Sequence, residues 1–322
     1  MKNILTTIAI AILSQCAQSK HLTIDSNKAT SGKPGKVEVD GTINIVDNAT
    51  YSYKDSLAVE NLLRKANAFY QSKSSENNNP QHLSSQTILY IARQLIGTPY
   101  VAKTLEKNKS EKLIVNLNEL DCTTYVENVL TTYLCVKQND ISFNNYLENL
   151  KNVRYTKGIV SYPTRQHYFT EWIEDNTEDG IVTEIQVPNP PFNKKQTINI
   201  DFMSTHANLY PMMENRKDYI KQISEMEKRL SGKAYKYISK ESIRDNAIFR
   251  KTIKDGDIIA ITTNKKGLDT SHIGIAVWHK DGLHLLNASQ IHKKVVEEPM
   301  TLHQYMQKHP SQTGIRIVRI MP

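Results

Sequence analysis

Residues 272–289 read HIGIAVWHKDGLHLLNAS. Two apolar, β-branched runs flank Lys280-Asp281-Gly282, a turn signal, so the stretch reads as a β-hairpin. Short connections between consecutive strands mean antiparallel pairing. Asp257–Thr263 (DIIAITT) precedes the hairpin with the same character, and Lys293–Val296 and Ile315–Ile320 (IRIVRI) follow it. Upstream the period changes. Leu57, Leu62, Leu63, Ala66 and Phe69 are spaced for one helix face, ended by the Asn77–Pro80 cluster. Ile88, Ile91, Ala92 and Leu95 are spaced for a second, which Gly97 and Pro99 stop. More helices are expected from Asp121, over 143–155 and over 215–230. Helices first and strands second predict an α+β fold with one segregated antiparallel sheet.

The chain has 322 residues, 39% of them hydrophobic and 23% charged. That ordinary globular balance excludes a multispanning membrane protein, a collagen-like chain and a wholly disordered one. The net charge of +8 is modest. No helix-turn-helix, zinc-finger or RNA-binding signature accompanies it, so nucleic acid is not an expected partner. Such a surface suits an acidic polymer or peptide equally well.

Residues 1–16 (MKNILTTIAIAILSQC) place Lys2 before an apolar run from Ile4 to Leu13. The run is too short to span a membrane and right for a secretory signal. Leu13-Ser14-Gln15-Cys16 resembles a bacterial lipoprotein cleavage site, which makes Cys16 the expected lipidation residue. Gln15 stands where a small residue is usual, so plain secretion or an uncleaved anchor are the alternatives. Each of these takes the protein out of the cytoplasm, and the lipoprotein reading makes it periplasmic and membrane-anchored. Residues 17–52, rich in Ser, Thr, Asn, Lys and Gly, read as a flexible tether. Within them only Val37–Val46 could pass as a strand. Residues 53–322 read as a single domain.

Outside the leader the cysteines are Cys122 and Cys135. They fall on one expected helix, about 20 Å apart by helical rise, whereas a disulfide needs Cα atoms within about 7 Å. Asp121 is a preferred N-cap residue, and Val126, Val129, Leu130, Tyr133 and Leu134 follow at helical spacing. Cys122 therefore opens a helix, where free N–H groups and the macrodipole are expected to hold its thiolate below the usual pKa of about 8.5. Those N–H groups also suit an oxyanion. Cys135, between Leu134 and Val136, reads as core. A thiol nucleophile needs a base and an orienting third group. His272 opens an apolar strand, and antiparallel neighbours can bring Asn287 beside it, giving a Cys-His-Asn arrangement. On spacing alone, a small packing residue at a helix start stays open as the alternative for Cys122. His279, His284, His292, His303 and His309 lie in polar or turn contexts. No HExxH or comparable spacing supports zinc, and no GxSxG elbow supports a serine hydrolase.

Four blocks carry a family resemblance: Ile96-Gly97-Thr98-Pro99-Tyr100, Leu120-Asp121-Cys122-Thr123-Thr124, Ser271-His272-Ile273-Gly274-Ile275 and Leu286-Asn287-Ala288-Ser289. In this order they resemble the signature of the NlpC/p60 superfamily of cell-wall hydrolases. Tyr162-Pro163-Thr164-Arg165-Gln166-His167-Tyr168-Phe169 and Gly267-Leu268-Asp269 resemble its N-acetylmuramoyl-L-alanine amidase-like branch. The likeness runs from about residue 55 to the C-terminus. It implies a permuted papain-like fold with the cysteine helix packed on an antiparallel sheet. It also implies cleavage of the amide between N-acetylmuramic acid and L-alanine in peptidoglycan or muropeptides. Cys122 would be nucleophile, His272 base, and Asn287 the third residue, where relatives often carry histidine. Tyr100 would lie near the oxyanion. Asp121 and Ser271 would flank the substrate, while Arg165, His167 and Tyr168 would line its pocket, with Arg165 holding a stem-peptide carboxylate. No metal or organic cofactor is needed. Competing readings are a γ-D-glutamyl-diamino acid endopeptidase, a non-catalytic muropeptide-binding lipoprotein, and an acyltransferase, for which no acyl groove is marked.

Overall fold

The computed structural model describes residues 43–46, 49–76 and 79–322. The expected signal segment, Cys16 and the tether as far as residue 42 lie outside the described residues. The chain opens with β1 (Ile43–Val46), β2 (Ala49–Ser52), α1 (Tyr53–Ser74), α2 (Pro80–Gln94) and β3 (Leu113–Ile114). Then come α3 (Cys122–Lys137), α4 (Phe143–Arg154), α5 (Phe169–Glu178), β4 (Val182–Ile185), β5 (Lys194–Thr197), α6 (Phe202–Thr205) and α7 (Lys217–Leu230). The rest is β6 (Ala234–Ser239), α8 (Ala247–Thr252), β7 (Ile258–Thr263), β8 (Thr270–Trp278), β9 (Leu283–Ser289), β10 (Lys294–Glu297), α9 (Leu302–Gln307) and β11 (Gln312–Ile320). The fold is α+β. No helix among the described residues is long and apolar enough to cross a membrane.

The main sheet runs β10-β9-β8-β7-β11-β6-β5, and β4 also pairs with β11. Its pairings are antiparallel. The hairpin, β7 and β11 agree with the sequence reading. The expectation of helices first and strands second is corrected in part, because β4, β5 and β6 come from the middle of the chain. β5 reads KKQT and is largely exposed, so it carries no apolar alternation to announce it. The tether also ends earlier than residue 53. β2 pairs in parallel with β3, and Ala49 and Tyr51 are buried in the helical core. Ser52 then caps α1 in a reciprocal box with Asp55.

Strand alternation decides which side chains meet which layer. Ile258, Ala260, Ile273, Ile275, Val277, Leu286 and Ala288 face the core shared with α1 to α5. Ile259, Ile261, Ala276, Leu283, Leu285, Ile315 and Ile317 face a second core with Phe249 of α8 and Leu302, Tyr305 and Met306 of α9. Both faces are covered, which is why β7 reads as an unbroken apolar run. At the centre of the first core, α3 is buried from Thr124 through Val136, as a helix surrounded on all sides must be. Each fully buried Val, Leu or Ile there contributes about 1.5–3 kcal/mol.

Two glycines fix how the layers meet. Gly97, just past α2, has φ +91°, a left-handed conformation that favours glycine. Its N–H donates to Val295 O at 2.9 Å, tying the end of α2 to β10. In β8, a Cβ on Gly274 would come within 2.8 Å of Leu285 Cδ1 and 2.9 Å of Leu286 O. Only glycine lets β9 lie this close.

Candidate active site

Asp121 caps α3. Its Oδ1 accepts from Thr124 N–H at 2.8 Å, and its own N–H donates to Thr124 Oγ1 at 2.9 Å. Cys122 is thereby held in the first turn of a rigid helix, as its N-cap signal implied. The β8–β9 pairs, Ile275–Trp278 with Leu283–Leu286, end before reaching His272. α3 packs against both strands, and the Ile273 backbone lies near enough to the Cys122 sulfur to favour its ionised form. The cysteine therefore stands directly beside the histidine strand.

His272 is the third residue of β8, not the first, which sets it inside the rim. Its Nε2 lies 2.9 Å from Asn287 Oδ1. Asn287 is fully buried, and its Nδ2 donates to Leu285 O at 3.3 Å and Val296 O at 3.5 Å. Those two carbonyls can only accept, so the amide is oriented with Oδ1 toward the ring. An acceptor there requires Nε2–H, which leaves Nδ1 as the basic nitrogen of a neutral His272. Nδ1 takes no hydrogen bond among the described residues.

Electrostatics correct one expectation. The Cys122 thiol is not lowered but pushed up to about 12. Desolvation is the main cause, the Asp121 carboxylate adds to it, and hydrogen bonds with Ile273 and Thr123 oppose it. Helix position is legible in a sequence; the depth of the sulfur is not. Burial likewise pulls His272 below its ordinary value, helped by His309 and opposed by Asn287 and Asp121. Thiol and imidazole are thus both neutral at rest.

Tyr100 is brought in by backbone pairing. Its N–H donates to Lys293 O at 2.9 Å, while Pro99 O and Val101 N–H bond Leu120 at 3.0 Å each. Burial, with Cys122 and Asp121 nearby, raises the phenol well above its ordinary value. Tyr100 therefore keeps its proton, and its hydroxyl bonds no described residue. Ser271 Oγ makes a long, 3.4 Å bond to Ile261 O.

Three expected pocket residues are engaged elsewhere. Arg165 is 5% exposed. It pairs with Glu106, with Glu111 at 3.2 Å and with Leu105 O at 3.5 Å, and it lies 4.8 Å over the Tyr162 ring. A guanidinium so occupied has no fork left for a substrate carboxylate. His167 Nε2 donates to Tyr162 O at 2.7 Å, and desolvation with Arg165 holds the ring neutral, well below its ordinary pKa. The Tyr168 hydroxyl donates to Glu227 Oε1 at 2.7 Å inside a third apolar cluster with Met203 and Ile223. None of the three hydrogen-bonds Cys122, His272 or Asn287.

Sequence reasoning missed α9. His272 and Asn287 alternate with core-facing Ile273 and Leu286, and the end of α9 meets the start of α3 beside them, since Cys122 acts on Tyr305 and both Asp121 and His309 act on His272. The rings of Tyr305, in α9, and His309, just past its end, lie 4.4 Å apart and tilted by 34°, and both are electrostatically coupled to the site. An i, i+4 pair of polar rings was the available signal. Cys135 is buried, accepts from Asn149 Nδ2 at 3.5 Å and is free, like Cys122.

Residues 90–315 match the family described as AmiA-like, N-acetylmuramoyl-L-alanine amidase-like. Among solved structures, the chain is similar to an N-acetylmuramoyl-L-alanine amidase from Bacteroides uniformis, with 35% identity and a TM-score of 0.69. That likeness covers 74% of this chain and 99% of the other. A Bacteroides fragilis protein provisionally named a xylanase is 39% identical, with a TM-score of 0.67, over 71% of this chain and 99% of its own. A Legionella pneumophila protein at 23% identity shares the fold, with a TM-score of 0.57 over 83% and 97% of the two chains. No curated protein matches the chain.

Proposed function

The chain belongs to the N-acetylmuramoyl-L-alanine amidase-like family, and from that premise we propose a peptidoglycan hydrolase with Cys122 as its nucleophile. The bond cut is the amide between the lactyl group of N-acetylmuramic acid and L-alanine. The fold is read as a permuted papain-like arrangement, and Cys16 as the lipid anchor of a periplasmic enzyme. The observation that carries the chemistry is the 2.9 Å contact of His272 with a buried, oriented Asn287, beside a cysteine at a helix start.

Because thiol and imidazole rest neutral, His272 Nδ1 takes the thiol proton as the sulfur attacks the lactyl carbonyl. The oxyanion meets N–H groups at the start of α3, with the Tyr100 hydroxyl as a further donor. His272 then gives its proton to the alanine nitrogen as the C–N bond breaks. Water resolves the thioester. The xylanase name does not transfer on this reading. Glycoside hydrolysis generally uses a pair of carboxylates across the scissile bond, and the Asp121 carboxylate beside Cys122 is occupied in capping α3.

The decisive experiment is mass spectrometry of a disaccharide-tetrapeptide after incubation with the protein. Free disaccharide and a peptide beginning with L-alanine are expected. A disaccharide that keeps L-Ala-D-Glu would establish the endopeptidase instead. No product at all, with the muropeptide still bound, would leave only a binding protein.

Asn287→Ala should lower kcat by roughly 10- to 100-fold, the scale of a lost positioning group. Asn287→His should keep substantial activity with an altered pH profile, since a second imidazole then titrates in the site. Full activity in Asn287→Ala would remove Asn287 from the mechanism.

A further inference from the structure

At the far end of the β8–β9 hairpin, the turn carries His279-Lys280-Asp281-Gly282-Leu283-His284. Seven residues of strand, about 23 Å at the rise of β-structure, separate it from His272. The turn closes through a 2.8 Å bond from His279 N–H to Gly282 O. The two imidazoles lie 4.2 Å apart between ring centres. One ligand atom from each of His279, Asp281 and His284 lies within 4.8 Å of the other two.

The hydrogen bonds around the rings matter more than their proximity. His284 is buried, and its Nδ1 faces Glu298 O at 2.8 Å. A carbonyl only accepts, so Nδ1 carries the hydrogen and Nε2 of the neutral ring presents a lone pair. Asp281 Oδ1 lies 3.1 Å from that Nε2. Two electron-rich atoms face each other unless a cation, proton or metal, stands between them. His279 Nε2 is hydrogen-bonded to Glu297, whose carboxylate is fixed by Arg93 at 3.0 and 3.3 Å. With Nε2–H given to Glu297, Nδ1 of His279 is left for a ligand. One histidine backed by a carboxylate and the other by a backbone carbonyl are the outer contacts that orient metal-binding imidazoles.

The geometry points to a divalent transition-metal site formed by His279, Asp281 and His284, of the type that takes Zn²⁺. Two imidazoles and one carboxylate suit Zn²⁺, whereas Mg²⁺ and Ca²⁺ prefer oxygen donors throughout. Bonds of about 2.0–2.1 Å place tetrahedral ligand atoms about 3.4 Å apart. Asp281 Oδ1 and His284 Nε2, 3.1 Å apart, already have that spacing, and no ligand atom is more than 4.8 Å from another, so side-chain shifts of little more than 1 Å in the exposed turn complete the set. Some seven strand residues from His272, the ion would clamp the hairpin turn and take no part in hydrolysis.

Titration of the metal-free full chain with Co²⁺, followed by its visible d–d absorption, tests this. Saturation at one equivalent is expected, with a tetrahedral spectrum, no thiolate charge-transfer band, and displacement by Zn²⁺. His279→Ala and Asp281→Asn, both at solvent-exposed side chains, should each weaken binding at least about 10-fold while leaving muropeptide hydrolysis unchanged. Zn²⁺ should raise the melting temperature of the wild type alone, as a ligand of the folded state does. Absence of saturation, a thiolate band, or equal affinity in both variants would overturn the site.

Discussion

Cys122→Ala is expected to abolish turnover, lowering kcat by roughly 10⁴-fold or more, the scale of losing a nucleophile. The fold should survive. Cys122 is half-buried at the first position of α3, alanine is the best helix former, and the Asp121–Thr124 capping box does not involve the sulfur. The stability change should stay within about 1 kcal/mol. Cys122→Ser should be equally inactive, because its hydroxyl is a harder proton to remove than a thiol already held at about 12. Cys135→Ala should retain activity. Product analysis beside a thermal melt separates the two effects, and turnover persisting in a folded Cys122→Ala would end the mechanism.

The second large effect is on stability. Arg165→Ala removes the cation shared by Glu106 and Glu111 and leaves two poorly hydrated carboxylates facing each other. Breaking a buried pair in this way costs about 3–5 kcal/mol, so the denaturation midpoint should fall steeply. Arg165→Lys keeps the charge without the planar fork and should fall between. KM of the fraction that remains folded should be unaltered. A several-fold rise in KM with unchanged stability would instead return Arg165 to the substrate, as its motif suggested.

The contrast between these residues marks what a sequence can disclose. Asp121 and the apolar spacing behind it were readable because a cap and a helix period are local. The pairing of His272 with Asn287 followed from two adjacent strands in one hairpin. Arg165 could not be placed in this way, since Glu106 and Glu111 lie 59 and 54 residues upstream and no local pattern joins them. The thiol was misjudged because the helix end is written in the sequence and the burial around it is not. β5 escaped because an edge strand of Lys194, Lys195, Gln196 and Thr197 buries almost nothing. β6 escaped because its burial does not alternate: Tyr235, Ile238 and Ser239 are buried while Tyr237 is only half-buried.

β11 is the last strand of the chain, yet it stands inside the sheet, with β7 along one side and β4 and β6 along the other. Every strand it joins is made earlier, and each must hold an unpaired edge until β11 arrives. Open edges of β-branched strands are templates for other chains. A polypeptide cut short after residue 311 would therefore not be a slightly smaller protein. It would be a split sheet whose two halves, lacking their common partner, recruit neighbours and precipitate. Closure of this sheet is decided by Gln312–Ile320, a long way in sequence from the cysteine.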